Sequence, residues 1–209
     1  MTDLAELKRL GFSKGTTSEV LLSLSLGSEV NVAPMGVKLG ENAELIIKVF
    51  AGCRTYDLIR RGARDYVVNI TSNPLLFYYA IFGKDSLKLR PSRCVSAPRV
   101  AGCEAYVEAE RKGVDYGRDY LILHLRPIHI EYRRVLPKAF CRAAPAVIEA
   151  LVYYTKIPYL KKSGKSREAE GMLKRILACA EVVGHCTRSR RLRSILRNVI
   201  ERAEGILKE

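Results

Sequence analysis

Three short stretches hold residue types that could do chemistry. In "EVNVAPMGVKLG" (29–40), Asn31 and the run Pro34-Met35-Gly36 interrupt what should be an alternating strand. Pro lacks the N–H a ladder needs and Gly has no side chain to pack, so both weaken a strand interior. In "CRTYD" (53–57), Arg54 and Thr55 stand where a strand gives way to a helix. In "NITSNP" (69–74), Asn69, Thr71, Ser72 and Asn73 stand at a second such junction. A helix start offers unpaired N–H groups and the positive end of the dipole, which suits an anion. Arg54 would add charge-assisted, two-pronged hydrogen bonds to a phosphate. Pro34 and Gly36 would let a flat ligand approach the main chain closely. Together these residues suggest a phosphorylated planar ligand lying along a hairpin. Another reading stays open for each: Thr55 and Asn73 as helix N-caps, Arg54 as a surface charge, and Pro34 with Gly36 as an edge bulge.

The elements that must position these residues follow from periodicity. "SEVLLSLSL" and "EVNVAPMGV" read as a hairpin across Gly27-Ser28. "AELIIKVF" is a third strand, "YDLIRRG" a short helix stopped by glycine, and "DYVVNIT" a fourth strand. "NPLLFYYAIFG" is a helix with Asn73 as N-cap, Pro74 in its first turn and Gly83 at its end. "CEAYVEAER" and "RDYLILHLRPIHIEYRR" are two more strands, joined by a turn at Gly113 to Gly117. From about Pro137 the period becomes helical. Phe140, Ala144, Val147, Ile148, Leu151 and Val152 share one face; Ala169, Met172, Leu173, Ile176, Leu177, Ala180 and Val183 share a second. Leu192, Ile195, Leu196, Val199, Ile200, Ala203 and Ile206 share a third. The segments "KIPYLKKSGKS" and "GHCTRS" read as breaks between these helices. The expected architecture is α+β: an antiparallel β-domain over 1–135 and a helical region of about three helices over 136–209.

Composition narrows the functional classes. The chain has 209 residues, 48% hydrophobic and 28% charged, the balance of an ordinary globular protein. Its longest apolar runs are too short to span a bilayer, and its N-terminus has no apolar signal region. A cytoplasmic location with no membrane partner is expected. The six cysteines form no C-x-x-C pair and no disulfide framework, and read as buried or partly buried free thiols. No metal-ligand spacing is present. The net charge is +14 and uneven, since residues 133–209 carry 18 Lys and Arg against 7 Asp and Glu. That excess raises nucleic acid as a partner, but no nucleic-acid motif accompanies it. The apolar stripes of the last helices point instead to dimer packing or to covering the barrel. Arg188, Arg190, Arg191 and Arg193 are then expected to meet acidic residues of a neighbouring element.

"NVAPMGV" (31–37), "CRTYDLI" (53–59), "YVVNITSNPLLFYYAIFG" (66–83) and "PKAFCRAAPAVIEALVYYTKI" (137–157) together resemble a mainly archaeal family of FMN-binding split-barrel flavoproteins. That family is similar to the flavin-reductase-like and pyridoxamine-oxidase-like barrels. The resemblance implies a closed six-stranded antiparallel split barrel with short helices and a C-terminal helical appendage. It implies a homodimer with FMN near the subunit interface. On this resemblance Asn31, Ala33, Pro34, Met35, Gly36 and Val37 line the isoalloxazine ring. Arg54 and Thr55 grip the phosphate, and Asn69, Thr71, Ser72 and Asn73 contact the ribityl chain or the phosphate. The sequence departs from the family at Cys141, where an Asn is expected.

Three functions follow: a flavin-dependent oxidoreductase or flavin reductase, an FMN carrier without a substrate of its own, or a basic nucleic-acid-binding protein on a barrel scaffold. No side chain stands out as a catalytic acid or base. His124 and His129 lie in an alternating strand and read as structural. No Gly-rich dinucleotide fingerprint is present, so a reductant would have to dock transiently over the flavin.

Overall fold

The computed structural model describes residues 4–133 and 141–208. By their internal contacts these residues form two compact units. One holds residues 4–71 and 79–133; the other holds residues 72–78 and 141–208.

The first unit is built on β1 (Ser18–Leu26), β2 (Glu29–Leu39), β3 (Leu45–Phe50), β4 (Asp65–Ile70), β7 (Ala105–Tyr116) and β8 (Tyr120–Tyr132). These six strands close into an antiparallel barrel in the order β1-β2-β3-β8-β7-β4, so the α+β class and the six-stranded barrel are as expected. Helices α1 (Leu4–Arg9) and α2 (Arg54–Arg60) and the small hairpin β5 (Leu89–Arg90) with β6 (Arg99–Val100) complete it. Helix α3 (Pro74–Phe82) is followed by a single helical turn, Lys84–Ser86. Each barrel strand feeds the core by alternation: Val20, Leu22 and Leu24 of β1, Leu45, Ile47 and Val49 of β3, and Leu121, Leu123 and Leu125 of β8 all point inward. Leu58 and Ile59 of α2 join the same core. They fix α2, and with it Arg54 and Thr55, against the barrel.

The β1–β2 hairpin turns on Gly27, whose φ of 60° suits a two-residue turn. From there the register runs unbroken from Leu26 opposite Glu29 to Ser18 opposite Val37, with no bulge at Pro34 or Gly36. The irregularity of β2 lies on its other side. It pairs with β3 only over Val37–Leu39. Over Glu29–Gly36 it has β1 on one edge and, among the described residues, no strand on the other. That makes Pro34 tolerable, because proline is accepted where no ladder partner waits. Gly36 has a separate reason. A side chain there would collide with the methyl group of Thr17, 2.6 Å from the position of a Cβ.

The outer face of β1, β4 and β7 is covered by the segment 89–100 and held by buried polar groups. Asn69 of β4 donates to Leu21 O (2.9 Å) and Ser23 Oγ (3.0 Å), and accepts from Val100 N at 2.7 Å. Ser96 bonds the Asp65 carboxylate through its N–H and its hydroxyl. Glu108, fully buried, accepts from Arg93 N (2.9 Å), Cys94 N (2.6 Å) and Arg99 Nε (2.8 Å), and Arg99 also reaches Glu131 at 2.9 Å.

The second unit contains α4 (Ala143–Lys162), α5 (Ser166–Cys186) and α6 (Arg190–Lys208). Val147, Leu151 and Ile157 of α4, Ala169, Ile176 and Val183 of α5, and Ile195, Val199 and Ala203 of α6 are its buried stripes. Pro137 and Phe140, expected at the start of the first of these helices, lie outside the described residues.

Several expectations need correcting. The segment at Lys156 is no break: α4 runs through Pro158 to Lys162. The missing N–H and the ring clash cost it locally, but Ile157 and Leu160 on either side are buried, and their packing keeps the helix whole. Helix α5 continues through Gly184 to Cys186, leaving only residues 187–189 as the turn. Strand β7 passes Gly113, which sits at an irregularity in the β7–β8 register, and turns only after Tyr116. Two thiols, Cys94 and Cys141, are exposed, not buried or partly buried. The arginines do not find acidic partners. Among the described residues Arg188, Arg190 and Arg191 make no ion pair, and Arg193 bonds the carbonyls of Thr187 and Gly184, both at 3.0 Å. No described helix is long and apolar enough to cross a membrane.

Glu108 generates the first prediction. Burial pushes its carboxyl upward, but the N–H groups of Arg93 and Cys94 and the Arg99 guanidinium outweigh burial and hold it below the ordinary 4.5. Glu108→Gln should cost roughly 3 kcal/mol, the lower end for breaking a buried pair, since Glu131 still holds Arg99. A carboxylate with a depressed folded pKa stabilises fully above its unfolded value and loses that effect as pH falls through the folded one. Urea unfolding should therefore show a gap between wild type and variant that is full at neutral pH and closes below about pH 4.5. A gap independent of pH would contradict the charged pairing.

Candidate functional site

The open edge of β2 ends beside the start of α2, and three side chains from three elements meet there. Asn31 of β2 is 2% exposed and Thr55 of α2 is 1% exposed. Asn31 Nδ2 donates to Thr55 Oγ1 at 2.9 Å. Asn31 Oδ1 accepts from Nζ of Lys84, in the turn after α3. One amide thus ties the strand edge, the helix start and a cation together. Alternation along β2 explains its placement. Asn31 has the parity of Met35, Val37 and Leu39, which pack on or in the barrel core, and meets α2 where that helix is seated on the same core.

The electrostatics are those of an anion site. Although Lys84 as a residue is exposed, its ammonium is drawn in beneath Asn31. Burial, and next the Arg54 charge, lower its pKa from the ordinary 10.5. Its hydrogen-bond partner is a neutral amide, and it makes no ion pair among the described residues. Arg54 is more open. Its guanidinium lies 3.7 Å from Glu29, but that carboxylate is committed to Arg61, which binds it with both terminal nitrogens. The Arg61 hydrogen bond, partly opposed by burial and aided by the charges of Arg61 and Arg54, holds Glu29 below the usual carboxylate range. Cys53, the residue before α2, places no capping hydrogen bond on the helix. Its thiol donates to Phe50 O at 3.3 Å, and burial pushes it upward.

The residues expected from sequence divide into groups. Asn31, Arg54 and Thr55 are brought together. Ala33, Pro34, Met35 and Gly36 follow along the open edge, each half-buried, while Val37 is in the core. Gly36 is explained by Thr17, so its closeness to a ligand rests on resemblance alone. Asn69 is fully buried with its amide bonded on both sides within the protein, and bridges β1 to the segment 89–100. Thr71 is buried, its hydroxyl engaged with the Cys103 thiol. Ser72 and Asn73 belong to the second unit, where Asn73 caps α3 by accepting from Leu75 N at 3.0 Å. Lys84 was not foreseen. Its one signal is its place directly after Gly83, the helix stop, where a side chain leaves the helix axis. His124 bridges Glu44 (2.9 Å) and Asp115 (2.8 Å) on the barrel wall, a structural role.

The fold defines the class: this is the six-stranded split barrel of the flavin-reductase-like and FMN-binding proteins. Within it, the chain belongs to the DUF447 family, with residues 18–134 matching that family's N-terminal domain, described as a protein of unknown function. Solved structures resemble it at low identity. The FMN-bound protein MM1853 of Methanosarcina mazei, assigned to the same family, is 19% identical with a TM-score of 0.73 over 94% of this chain and 99% of that one. The flavin reductase HpaC, solved with NADP+, is 16% identical with a TM-score of 0.51 over 66% and 90%. The NADH:FAD oxidoreductase SgcE6 of Streptomyces globisporus, solved with NAD and FAD fragments, is 16% identical with a TM-score of 0.50 over 66% and 96%. No curated protein matches the chain.

Asn69 allows a test of the division just made. Asn69→Ala leaves the buried Val100 N–H and the carbonyl of Leu21 without their partner, at about 1–3 kcal/mol for each group so stranded. The expected result is a large fall in melting temperature with flavin affinity, measured well below that temperature, unaltered. Lost affinity in a fully folded variant would return Asn69 to the ligand site.

Proposed function

We propose that this chain binds FMN at the open edge of β2 and works as an oxidoreductase or flavin reductase, passing hydride or electrons to an acceptor. The observation that carries the reading is the pair of cations, Lys84 and Arg54, held beside the buried Asn31–Thr55 bond. Two like charges kept close without a committed carboxylate favour an anion between them. The unladdered edge of β2 supplies N–H and C=O groups that a heterocycle's polar rim can pair with. FMN combines one phosphate with one such heterocycle, and when bound it would supply the redox chemistry. The FMN-bound relative in Methanosarcina mazei and the flavin reductase HpaC support this choice.

In this reading Arg54 and Lys84 bind the phosphate, with Thr55 beside them. Asn31 positions Lys84 and presents the rim of the strand. Ala33, Pro34, Met35 and Gly36 face the ring along the open edge. The division of the chain into a barrel domain over 1–135 and a helical domain over 136–209 is part of the proposal, supported by the grouping of contacts. So is a homodimer. Val30, 36% exposed, adjoins Asn31 in sequence, and Phe50, 43% exposed, ends β3; a second copy would cover both.

Released chromophore, identified by chromatography, should be FMN and not FAD. Arg54→Ala and Lys84→Met should each weaken FMN binding with the fold intact. One charge-assisted contact is worth roughly 1.5–3 kcal/mol, or about ten- to a hundredfold in affinity. Wild-type affinity should fall as pH rises through the Lys84 pKa, which lies below 10.5. Lys84→Met should lack that limb. Unchanged dissociation constants in both variants would sink the phosphate assignment. Oxidation of NADH or NADPH by the FMN-loaded protein supports the reductase reading; a flavin that neither reduces would favour a carrier.

A further inference from the structure

We propose that the junction of α5 and α6 is a second ligand site, for a small organic phosphate carrying two or more phosphate groups, such as a nucleoside di- or triphosphate. The inference stands apart from the flavin reading and rests on different residues. Between Glu181 and Glu201 the chain has no acidic residue and five arginines, at 188, 190, 191, 193 and 197. Four of these, with Ser194, line one open pocket of about 550 Å³. Arg190, Arg193 and Arg197 share a helix face, because spacings of three and four residues return to the same side.

The arrangement is costly without an anion. Like charges at these spacings repel, and the first turns of a helix disfavour cations. The first turn of α6 holds no acidic residue to offset them. Arg193 is held in place by its bonds to the Thr187 and Gly184 carbonyls. Among the described residues Arg188, Arg190 and Arg197 make no ion pair, so three guanidinium forks are free to bind phosphate oxygens two at a time. A single orthophosphate would not engage four arginines, whereas a diphosphate or triphosphate would.

Two features favour a compact ligand over a nucleic-acid strand. The charge is gathered at one end of α6: from residue 198 to 208 it carries Glu201 and Glu204 against Arg202 and Lys208. A strand's phosphates would need cations spread along a track. Beside the arginine pocket lies a groove of about 350 Å³ that shares Arg193 and Arg197 and is otherwise mainly apolar, with Val183, Leu196 and Ile200 and one carboxylate, Glu201, in its wall. It gives the base or other apolar part of an organic phosphate a place to lie.

The test is calorimetric titration of the full chain, with its flavin content measured throughout, using ATP, inorganic pyrophosphate and a twenty-nucleotide single strand near physiological salt. ATP should bind with micromolar affinity and pyrophosphate more weakly. The exposed pair Arg190→Gln with Arg197→Gln should weaken ATP at least tenfold, with flavin content unchanged and the melting temperature not lowered. Arg188→Gln, outside any helix, should weaken it several-fold and guards against a helix that fails to form. Arg54→Ala should leave ATP binding as it was. Absence of ATP binding, equal binding by the double variant, or an oligonucleotide that binds more tightly than ATP and is lost on the same substitutions would each overturn the proposal.

Discussion

The structure depends on an inequality between the two edges of one strand. β2 pairs with β1 over nine of its eleven residues, Glu29–Val37, and with β3 over three. A closed barrel normally leaves no free edge. Here the closure is made by Val37–Leu39 alone, and Glu29–Gly36 is left with main-chain groups facing no strand. A free edge invites unwanted pairing, and proteins blunt it with proline or cover it. Pro34 does the first. Asn31 does something further, because its amide reaches past the edge to Thr55 and Lys84 and makes the break in the ladder a fixed junction of three elements.

Fixing that junction requires that neither α2 nor β2 can shift. Helix α2 is held by Leu58 and Ile59 in the barrel core, a contribution of about 1.5–3 kcal/mol for each large apolar side chain removed from water. Strand β2 is held by β1, and β1 in turn is clamped to β4 and to the segment 89–100 through Asn69, Ser23 and Ser25. Asn69, Ser23 and Glu108, buried on that outer wall, are each bonded, the condition under which such networks rigidify a fold instead of weakening it. The wall therefore supports the candidate site by immobilising the strand that bears it, without touching a ligand.

The same logic decides what could be read from sequence. The hairpin, the barrel strands and the Asn73-Pro74 helix start were legible because each is a local pattern: period two, a Gly-Ser turn, a cap. Arg54 and Thr55 were legible as a pair because they are adjacent at a helix start. The bonding of Asn69 was not legible, because an amide at a strand end looks the same whether it faces a ligand or a neighbouring strand; the register of β4 against β1 and the return of Val100 are long-range features. Lys84 was invisible for the opposite reason. Its partner lies 53 residues away, and its place after Gly83 marks a helix end, not a ligand. Pro158 misled because propensity is local while the packing of Ile157 and Leu160 is not.

The two clusters of cations in the chain obey different physics, and that difference bears on how each would choose its anion. At the barrel site few charges act in a partly dry setting. Lys84 is already biased toward its neutral form by burial, so a bound phosphate gains from restoring water's missing stabilisation, and salt screens it little. Geometry there is imposed by Asn31, which fixes Thr55 and Lys84 relative to the strand edge. At the α5–α6 junction the charges are numerous, exposed and mutually repelling, with Arg193 alone pinned. Such a site gains chiefly by cancelling repulsion among arginines, so it should rank ligands by charge before shape and lose affinity steeply as salt rises. A monophosphate on a rigid planar group suits the first set of constraints and a flexible polyphosphate the second, so the two proposed sites would not compete for the same ligand.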